Sequence, residues 1–324
     1  MQKSSSSPLI NHHSEVKLFS GNHSERLATK IAKKYGKSLG NIQVNRFSDG
    51  EMQPVILESV RGSYFFIIQS TTAPADNLME LLLIIDAAKR ASAGYISAII
   101  PYFGYARQDR KDKSRVPISA KLVVELLQAA GADRVVSMDF HADQLQGFFD
   151  IPVDHLQGQI VFFKHLKRMD MSNVTFAAPD VGGVKRARSY AQQFQTDLVI
   201  CDKQRVRANE VAGMTLIGDV TGKDVILVDD LVDTAGTLCR AANLMIEEGA
   251  RSVRAICTHA VLSGDAYKNI EKSALSELIV SDTIPLRKES KKITVLSVAK
   301  VFATAIRNTH EHKSITGLFV KKYG

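Results

Sequence analysis

Tryptophan is absent from this chain of 324 residues, and cysteine occurs only three times. The cysteines are Cys201, Cys239 and Cys257. They are scattered, odd in number and without a CxxC spacing, so a disulfide framework or a zinc site is not expected. This use of cysteine favours a reducing compartment.

Long apolar runs are also missing. The richest stretch, residues 78–88, is interrupted by Glu80 and Asp86, so no segment has the character of a membrane span. The first residues, MQKSSSSPLINHHS, contain no apolar stretch of the kind that a secretory signal needs, and residues 1–14 are predicted to form a disordered tail. These absences predict a cytoplasmic protein that does not associate with membranes.

The composition is otherwise that of a globular protein. Hydrophobic residues make up 45% and charged residues 23% of the chain, so a core can be buried, and the length suits two domains. Lysine and arginine number 42 against 34 for aspartate and glutamate, which gives a formal net charge of +8. A basic balance fits nucleic acid, acidic membranes or phosphorylated small molecules as partners, and composition does not choose among them.

Short apolar runs alternate with amphipathic segments from Val16 onward. Strands are predicted at residues 16–19, 64–69, 98–101, 134–138, 174–177, 198–201, 214–217, 225–228, 253–258, 278–280 and 293–296. Helices are predicted at residues 24–35, 77–91, 119–130, 158–169, 183–194, 237–248 and 298–308. This alternation favours the α/β class, with parallel sheets covered by helices. The pattern runs twice with a break near residues 151–158, which indicates two similar α/β domains.

The predicted helix at residues 77–91 differs from the other helical segments. Its first three turns are apolar almost all round. Such a helix is buried, either inside its domain or in a contact between subunits, and the sequence leaves both options open.

The segment VILVDDLVDTAGT at residues 225–237 carries the clearest chemical signal. An apolar strand ends in Asp229 and Asp230, and a short loop contains Asp233. A helix then opens with Thr234, Ala235, Gly236 and Thr237. Backbone N–H groups and hydroxyls at a helix N-terminus can hold a phosphate monoester, and carboxylates at a strand end can accept hydrogen bonds from ribose hydroxyls. An acidic N-cap alone would explain one acid but not this arrangement, so the pattern favours a site for a phosphorylated sugar.

This segment resembles the phosphoribosyl-diphosphate binding loop that phosphoribosyltransferases and ribose-phosphate diphosphokinases share. Other segments match the diphosphokinase family, and the resemblance runs from Val16 to the C-terminus. It implies two similar phosphoribosyltransferase-like domains, each a mainly parallel sheet flanked by helices. The first would cover residues 15–155, bind ATP and be completed by residues 309–324, and the second would cover residues 156–308 and bind ribose 5-phosphate. The sugar site would consist of Asp229, Asp230, Asp233, Thr234, Ala235, Gly236 and Thr237.

The segment RFSDGE at residues 46–51 separates the two families. From the residues alone, a polar turn is favoured. In the diphosphokinase family the similar loop forms the adenine and ribose part of the ATP site. The resemblance implies that Phe47 stacks on the base and that Asp49, Gly50 and Glu51 contact the nucleotide.

The segment PYFGYARQDRKDKSRVPISAK at residues 101–121 contains no apolar residue between Arg107 and Arg115. Such a stretch is typical of a solvated, flexible surface loop. A mobile basic loop can also close over a polyphosphate and exclude water. By resemblance to the family, Arg107 and Gln108 contact ATP, and the following loop folds over the substrates.

Two segments contain candidate ligands of a metal ion. In MDFHADQLQGFFDIPVD, residues 138–154, His141 lies among several acids. A lone histidine is more often structural, but hard oxygen ligands around it suit Mg²⁺. The resemblance makes His141 a ligand of the Mg²⁺ that accompanies ATP. Asp180 in PDVGGVKRAR, which by itself is typical of a glycine-rich turn, would bind a second Mg²⁺ near the ribose hydroxyls.

The segment DKQRVRAN at residues 202–209 is basic. The residues alone fit solvated charge or a nucleic-acid patch. The resemblance makes Lys203 and Arg205 the catalytic cations beside the transferred diphosphate. The implied reaction is attack by the 1-hydroxyl of ribose 5-phosphate on the β-phosphorus of ATP. It yields 5-phosphoribosyl 1-diphosphate and AMP for nucleotide, histidine and tryptophan biosynthesis, and no general base is predicted.

The resemblance further implies a homohexamer, activation by inorganic phosphate and inhibition by ADP at a subunit interface. The segments that resemble this regulatory site contain Arg90, Ser92, Ser314 and Thr316.

Three other functions remain open. A non-catalytic regulatory relative would keep the fold but lose catalytic residues, and this chain retains the histidine, the lysine–arginine pair and the sugar loop. A phosphoribosyltransferase would lack RFSDGE and the basic loop at residues 107–115. A nucleic-acid binder is suggested only by the positive charge, and no motif supports one, so no nucleic-acid partner is predicted.

Overall fold

The computed structural model describes residues 14–207 and 210–318, without the side chains of residues 203–207 and 210–212. The predicted tail therefore lies outside the described residues except for its last position. The strands are β1 (Val16–Ser20), β2 (Ile42–Arg46), β3 (Met52–Ile56), β4 (Tyr64–Ile68), β5 (Tyr95–Ile100), β6 (Arg134–Met138), β7 (Val153–Leu156), β8 (Val174–Ala178), β9 (Leu198–Arg207), β10 (Glu210–Ile217), β11 (Asp224–Val232), β12 (Ser252–Ala260), β13 (Leu275–Ser281) and β14 (Ile293–Leu296). The helices are α1 (Glu25–Tyr35), α2 (Asp76–Arg90), α3 (Ser119–Ala130), α4 (Gln159–Leu166), α5 (Val184–Phe194), α6 (Gly236–Glu247), α7 (Ala266–Lys272) and α8 (Ala299–His310).

The described part of the chain forms two compact units. Unit 1 combines the residues up to Gln157 with those from Val298 onward, and unit 2 comprises Gly158–Ser297. Within the described ranges, no helix has both the length and the apolar character needed to span a membrane.

The main sheet of unit 1 is entirely parallel, with the strand order β1-β4-β5-β6-β7. Strand β4 is buried along its whole length, which explains why its sequence, YFFII, is a continuous apolar run. Because parallel strands end at one common edge, the loops after β5 and β6 lie at the same edge. These loops carry Arg107 and His141.

Helix α8 completes unit 1 by packing on α1. Helix α1 buries Leu27 and Ile31, and α8 buries Phe302 and Ile306. The sequence-based boundary at residue 308 assigns this helix to the second domain, whereas its packing assigns it to the first unit. Helix α2 buries one face in the core of unit 1, but Met79 on the same helix is 51% exposed.

The sheet of unit 2 has the order β10-β9-β8-β11-β12-β13-β14. Its neighbouring strands are parallel except for β9 and β10, which are antiparallel. Apolar side chains of α6, including Leu238 and Met245, join one core cluster with Leu227 of β11. Strand β11 lies between β8 and β12, so its carboxyl end opens near the middle of the sheet edge.

Every predicted strand and helix overlaps an observed one, which confirms the α/β class with parallel sheets and flanking helices. Prediction missed the hairpin of β2 and β3, strand β7 and helix α7. Strand β11 also continues to Val232, so Asp229 and Asp230 lie inside the strand and not after it. Pairing with β12 holds the strand extended there, with Asp229 opposite Cys257.

Candidate active site

The β11–α6 loop, residues 233–235, turns the chain from the strand into the helix. Ala235 adopts a left-handed conformation, with φ 60° and ψ 3°, and its carbonyl accepts a hydrogen bond from the N–H of Cys239 at 2.9 Å. Its methyl group is buried in the core of unit 2. Thr234 is exposed beside it, and Thr237 lies in the first turn of α6. Since the first N–H groups of a helix lack acceptors within the helix, this turn can receive an anion.

Carboxylates gather at the carboxyl ends of the neighbouring strands β8 and β11. Burial raises the pKa of Asp229, and the charges of Asp230 and Asp180 raise it further, while the guanidinium of Arg186 opposes them. Arg186 Nη2 lies 3.6 Å from Asp230 Oδ1. Like charges in a half-buried place are costly for the fold, and strongly perturbed carboxylates are typical of functional sites.

Residues 262–269, which we call the bracing segment, hold the β11–α6 loop. The N–H of Ser263 donates to the Asp233 carbonyl at 3.1 Å, and its hydroxyl donates to the Asp233 carboxylate. The Nδ2 of Asn269, on α7, donates to the carbonyl of Thr234 at 2.9 Å. The loop is therefore fixed at two consecutive residues.

Asp180 follows β8 and begins the turn into α5. Its carboxylate accepts a hydrogen bond from the N–H of Gly183 at 3.2 Å. Gly183 lies close to β11, because a Cβ at this position would be 3.5 Å from the Val228 carbonyl oxygen. The glycine-rich turn is thus present as predicted, and it brings the Asp180 carboxylate near enough to Asp229 to affect its pKa.

Lys203 and Arg205 lie on β9, which pairs with β8 in parallel and with β10 in antiparallel orientation. The backbone register places Lys203 opposite Met214 and Arg205 opposite Val211. The side chains of both basic residues lie outside the described part of the chain, so their role as catalytic cations stays a prediction.

In unit 1, residues 46–51 form the turn of the β2–β3 hairpin. The N–H of Phe47 donates to the Glu51 carbonyl, and the N–H of Gly50 donates to the Phe47 carbonyl, both at 2.9 Å. Gly50 has a φ of 96°, which glycine adopts without a steric penalty. The carboxylate of Asp49 accepts the N–H of Glu51 at 3.0 Å. The polar turn is present, and it leaves the Phe47 ring 51% exposed and available for stacking.

The basic loop after β5 is anchored at its base by Gln108. The side-chain carbonyl of Gln108 accepts from the Ser119 hydroxyl at 2.6 Å, and its backbone carbonyl accepts from the N–H of Ala120 at 3.2 Å. Both partners belong to the first turn of α3. Arg107 is exposed next to this anchor, so the predicted ATP contacts lie where the loop leaves the fold.

His141 is exposed in the loop that follows β6. The preceding residue, Phe140, is buried against Phe103 and Phe149. The N–H of Phe140 donates to Nε2 of His155 at 2.8 Å. This contact fixes the loop directly before His141 and leaves the His141 ring at the surface.

No three-residue metal cluster is present in the described ranges. Among residues 14–207 and 210–318, no group of three or more His, Cys, Asp or Glu side chains is placed to hold a metal ion. The roles of His141 and Asp180 as metal ligands stay predictions.

The residues of the predicted regulatory site lie in two segments of unit 1. Arg90 pairs with Asp86 at 2.7 Å, and Ser92 has a φ of 62°. The hydroxyls of Ser314 and Thr316 are 2.8 Å apart. Regulation at this site stays a prediction.

The sequence does not predict Arg186 or Asn269 as site residues, whereas Ser263 lies in THAVLSGDA, residues 258–266, a segment that is expected by resemblance to the family to give structural support near the sugar site. Arg186 follows Asp180 in the same glycine-rich segment, and its basic charge so close to a candidate ligand is a signal that could have found it. Asn269 gives no comparable signal, because it reaches a loop residue 35 positions away in sequence.

The chain is similar to known proteins along most of its length. Residues 16–131 match the N-terminal domain of ribose phosphate pyrophosphokinase, and residues 202–320 match the phosphoribosyl synthetase-associated domain. A ribose-phosphate pyrophosphokinase from Wolinella succinogenes is 57% identical over 305 residues, which cover 94% of this chain and 99% of that protein. One from Porphyromonas gingivalis is 54% identical over 311 residues, which cover 96% and 99%.

A solved structure matches over almost the same length. The crystal structure of phosphoribosylpyrophosphate synthetase from Mycobacterium smegmatis aligns with a TM-score of 0.88 at 39% identity, covering 92% of this chain and 100% of that one. The chain is thus a transferase with the α/β fold of a phosphoribosylpyrophosphate synthetase. It belongs to the ribose-phosphate pyrophosphokinase family, for which ribose-phosphate diphosphokinase is another name. The predicted family is confirmed, and an enzyme is favoured over a non-catalytic relative.

Proposed function

We propose that this enzyme moves the β,γ-diphosphate of ATP to the 1-hydroxyl of ribose 5-phosphate, giving 5-phosphoribosyl 1-diphosphate and AMP. The product would serve nucleotide, histidine and tryptophan biosynthesis. The observation that carries this proposal is the β11–α6 arrangement, in which clustered carboxylates stand directly before a helix N-terminus. One end of this arrangement suits sugar hydroxyls and the other suits a phosphate monoester.

The sugar would bind along β11 and the first turn of α6. Asp229 and Asp230 would accept hydrogen bonds from the ribose hydroxyls, and Asp233 would fix the sugar at the loop. The 5-phosphate would be held by backbone N–H groups and hydroxyls of residues 234–237. This places a negative ligand at the positive end of a helix of 12 residues.

ATP would bind to loops of unit 1. The exposed Phe47 ring would stack on the adenine, and Asp49, Gly50 and Glu51 would contact the nucleotide around it. Arg107 and Gln108, at the anchored base of the basic loop, would contact ATP as well. Closure of the rest of that loop would exclude water, which competes with the sugar as an acceptor of the diphosphate.

The transfer needs alignment and charge neutralisation more than covalent help. Lys203 and Arg205 would stabilise the negative charge that develops on the transferred diphosphate and the leaving AMP. The anomeric oxygen forms a bond to the β-phosphorus as the bond from that phosphorus to the bridging oxygen of AMP breaks, and the hydroxyl proton is released to solvent. We assign no general base, because the anomeric hydroxyl needs chiefly to be held in line with the β-phosphorus.

Mg²⁺ fits the donors that are present. It is commonly bound by one or two protein carboxylates together with substrate phosphates, so it does not need a cluster of three protein ligands. His141 and Asp180 would each hold one ion, and bound Mg²⁺ would neutralise phosphate charge.

We also propose that the enzyme forms a homohexamer. Inorganic phosphate would activate it and ADP would inhibit it at a regulatory site that contains Arg90, Ser92, Ser314 and Thr316. A basic residue and neighbouring hydroxyls suit a phosphate group. A cytoplasmic location fits the ATP requirement and the three cysteines, which are buried and form no disulfide with one another.

The direct test is an assay of the purified enzyme with ATP, Mg²⁺ and ribose 5-phosphate. Equal amounts of AMP and 5-phosphoribosyl 1-diphosphate are expected, and their absence would contradict the proposal in favour of a non-catalytic relative. Lys203→Ala is expected to lower kcat ~100-fold or more while the dissociation constant of ATP changes by less than ~3-fold. Lys223→Ala, which removes a lysine paired with the exposed Asp197, is the matched control.

A further inference from the structure

The bracing segment contacts the β11–α6 loop through atoms that set its backbone conformation. Asn269 donates from Nδ2 to the Thr234 carbonyl at 2.9 Å. In a planar trans peptide, the carbonyl and the following N–H point in opposite directions. With the Thr234 oxygen held toward α7, the N–H of Ala235 is directed away from α7.

The conformation held in this way includes an unfavourable backbone geometry at one residue. Ala235 has a φ of 60°, and a left-handed conformation is sterically unfavourable for a residue with a Cβ. Such conformations persist where the surroundings impose them, and they are found often at ligand sites. The surroundings of Ala235 include the Asn269 hydrogen bond to the Thr234 carbonyl and the core around the buried methyl group.

Ser263 forms hydrogen bonds with Asp233, the residue before Thr234. Its N–H donates to the Asp233 carbonyl at 3.1 Å, and its hydroxyl donates to the Asp233 carboxylate. The first contact fixes the backbone, and the second limits the rotamers of the carboxylate. A carboxylate held in this way keeps its remaining lone pairs in one direction.

We propose that Asn269 and Ser263 are positioning residues for ribose 5-phosphate. They hold the β11–α6 loop in its ligand-binding shape before the sugar arrives, so that binding does not have to supply the ordering of the loop. The inference rests on the proposed role of this loop as the sugar-phosphate site. A positioning role weakens the binding of one substrate when it is lost, whereas a purely structural role lowers stability alone.

Asn269→Leu tests the inference, because leucine is similar in size and has no donor. Calorimetry with the full-length enzyme is expected to show a ~10-fold higher dissociation constant for ribose 5-phosphate, which equals about one net hydrogen bond. The KM for ATP is expected to stay within ~2-fold, because the change acts on one site. Ser263→Ala is expected to weaken binding of the same sugar several-fold.

Asn243→Leu is the matched control. Asn243 is also an asparagine that holds a backbone group near α7, since its Oδ1 accepts from the N–H of Ala274 at 2.8 Å. It does not contact the loop through this bond. A loss of stability similar to that of Asn269→Leu is expected, with an unchanged affinity for ribose 5-phosphate.

A rescue variant separates positioning from simple damage. Glycine adopts positive φ without the penalty of a Cβ. Adding Ala235→Gly to Asn269→Leu is therefore expected to recover several-fold of the lost affinity.

Three outcomes would overturn the inference: unchanged sugar affinity in Asn269→Leu, an equal loss in Asn243→Leu, or no recovery in the double variant. Thr237→Val distinguishes this failure from a failure of the proposed site. If Thr237→Val weakens the binding of ribose 5-phosphate and Asn269→Leu does not, only the positioning role is wrong. If neither variant weakens this binding, the β11–α6 loop is not the sugar-phosphate site. The proposed function of the loop and the positioning role then both fail.

Discussion

The Nη2 atom of Arg46 lies 2.9 Å from Oδ2 of Asp76, the first residue of α2. A second guanidinium nitrogen donates to the carbonyl of Gly50 at 3.2 Å. Arg46 therefore ties the hairpin turn that presents Phe47 to a helix in the body of unit 1. Exposed ion pairs contribute only ~0–1 kcal/mol to stability, so the effect of this pair is chiefly on position.

Replacing Arg46 with Met is expected to raise the KM for ATP ~3- to 10-fold, because the turn is then no longer held to α2. The free energy of unfolding of the protein should fall by less than ~1 kcal/mol. Steady-state kinetics with each substrate varied in turn would measure this. The KM for ribose 5-phosphate should not change. An equal rise in both values would mean that Arg46 affects the fold in general and not the nucleotide loop.

Phe47→Ala is expected to weaken ATP binding ~10-fold, since an aromatic contact contributes about 1 kcal/mol or more beyond its burial. Phe47→Tyr keeps the ring and should bind ATP nearly as well as the unmodified enzyme. Leu57→Ala removes an apolar side chain that is even more exposed, at 57% against 51%. Nucleotide titration followed by calorimetry would compare the three, and equal losses for Phe47 and Leu57 would exclude stacking.

Asp229→Asn is expected to stabilise the protein at pH 7 by ~1 kcal/mol or more while weakening ribose 5-phosphate binding. The folded state raises the pKa of Asp229 above the ordinary value through burial and Asp230. Above about pH 4 the unfolded chain releases the Asp229 proton more readily than the folded protein does, so the free energy of unfolding falls as the pH rises. Asparagine does not ionise, and the variant therefore avoids this loss. Urea denaturation at pH 7 and at pH 4 should show the gain shrinking at the lower pH. A loss of stability at pH 7 would contradict it.

Arg251→Met is expected to destabilise the protein at pH 7, whereas Asp229→Asn is expected to stabilise it. Its ion pair with Asp224, joined by a hydrogen bond from Ser252 at 2.6 Å, lowers the pKa of Asp224 to about 2. The depressed pKa gives stability that is present above about pH 4 and is lost as the pH falls toward 2. The difference between variant and unmodified protein should therefore be largest near pH 7 and vanish in acid.

The exposed pair of Lys223 and Asp197 serves as its control. The side chain of Asp197 is 77% exposed, so Lys223→Met should change the free energy of unfolding by less than ~0.5 kcal/mol at any of these pH values. A larger change would mean that pairing strength in this unit does not follow burial.

The sequence predicted most where apolar runs are continuous. Strands such as β4 and β11 are buried, and a run of branched or aromatic residues marks them without tertiary information. Strands β2 and β3 were missed because their residues are only half-buried or exposed, and β3 contains Pro54. Helix α7 has 7 residues and is mostly polar, so it gives no clear periodicity.

The candidate site was predictable where its functional side chains belong to consecutive residues of one segment. The acids and hydroxyls of β11 and α6 form one segment, and the turn at residues 46–51 forms another. The contacts of Arg186 with Asp230 and of Asn269 with Thr234 depend on how distant segments are brought together by the sheet. No local pattern encodes these contacts.

The packing of α8 on α1 affects the order in which the protein can mature during synthesis. A domain folds as a unit once its sequence has left the ribosome. Residues 158–297 emerge as one uninterrupted stretch, whereas α1 stays without α8 until residue 310 has been translated. The unit that is begun first is therefore finished last, and a nascent chain that stalls before α8 would lack the helix that packs on α1.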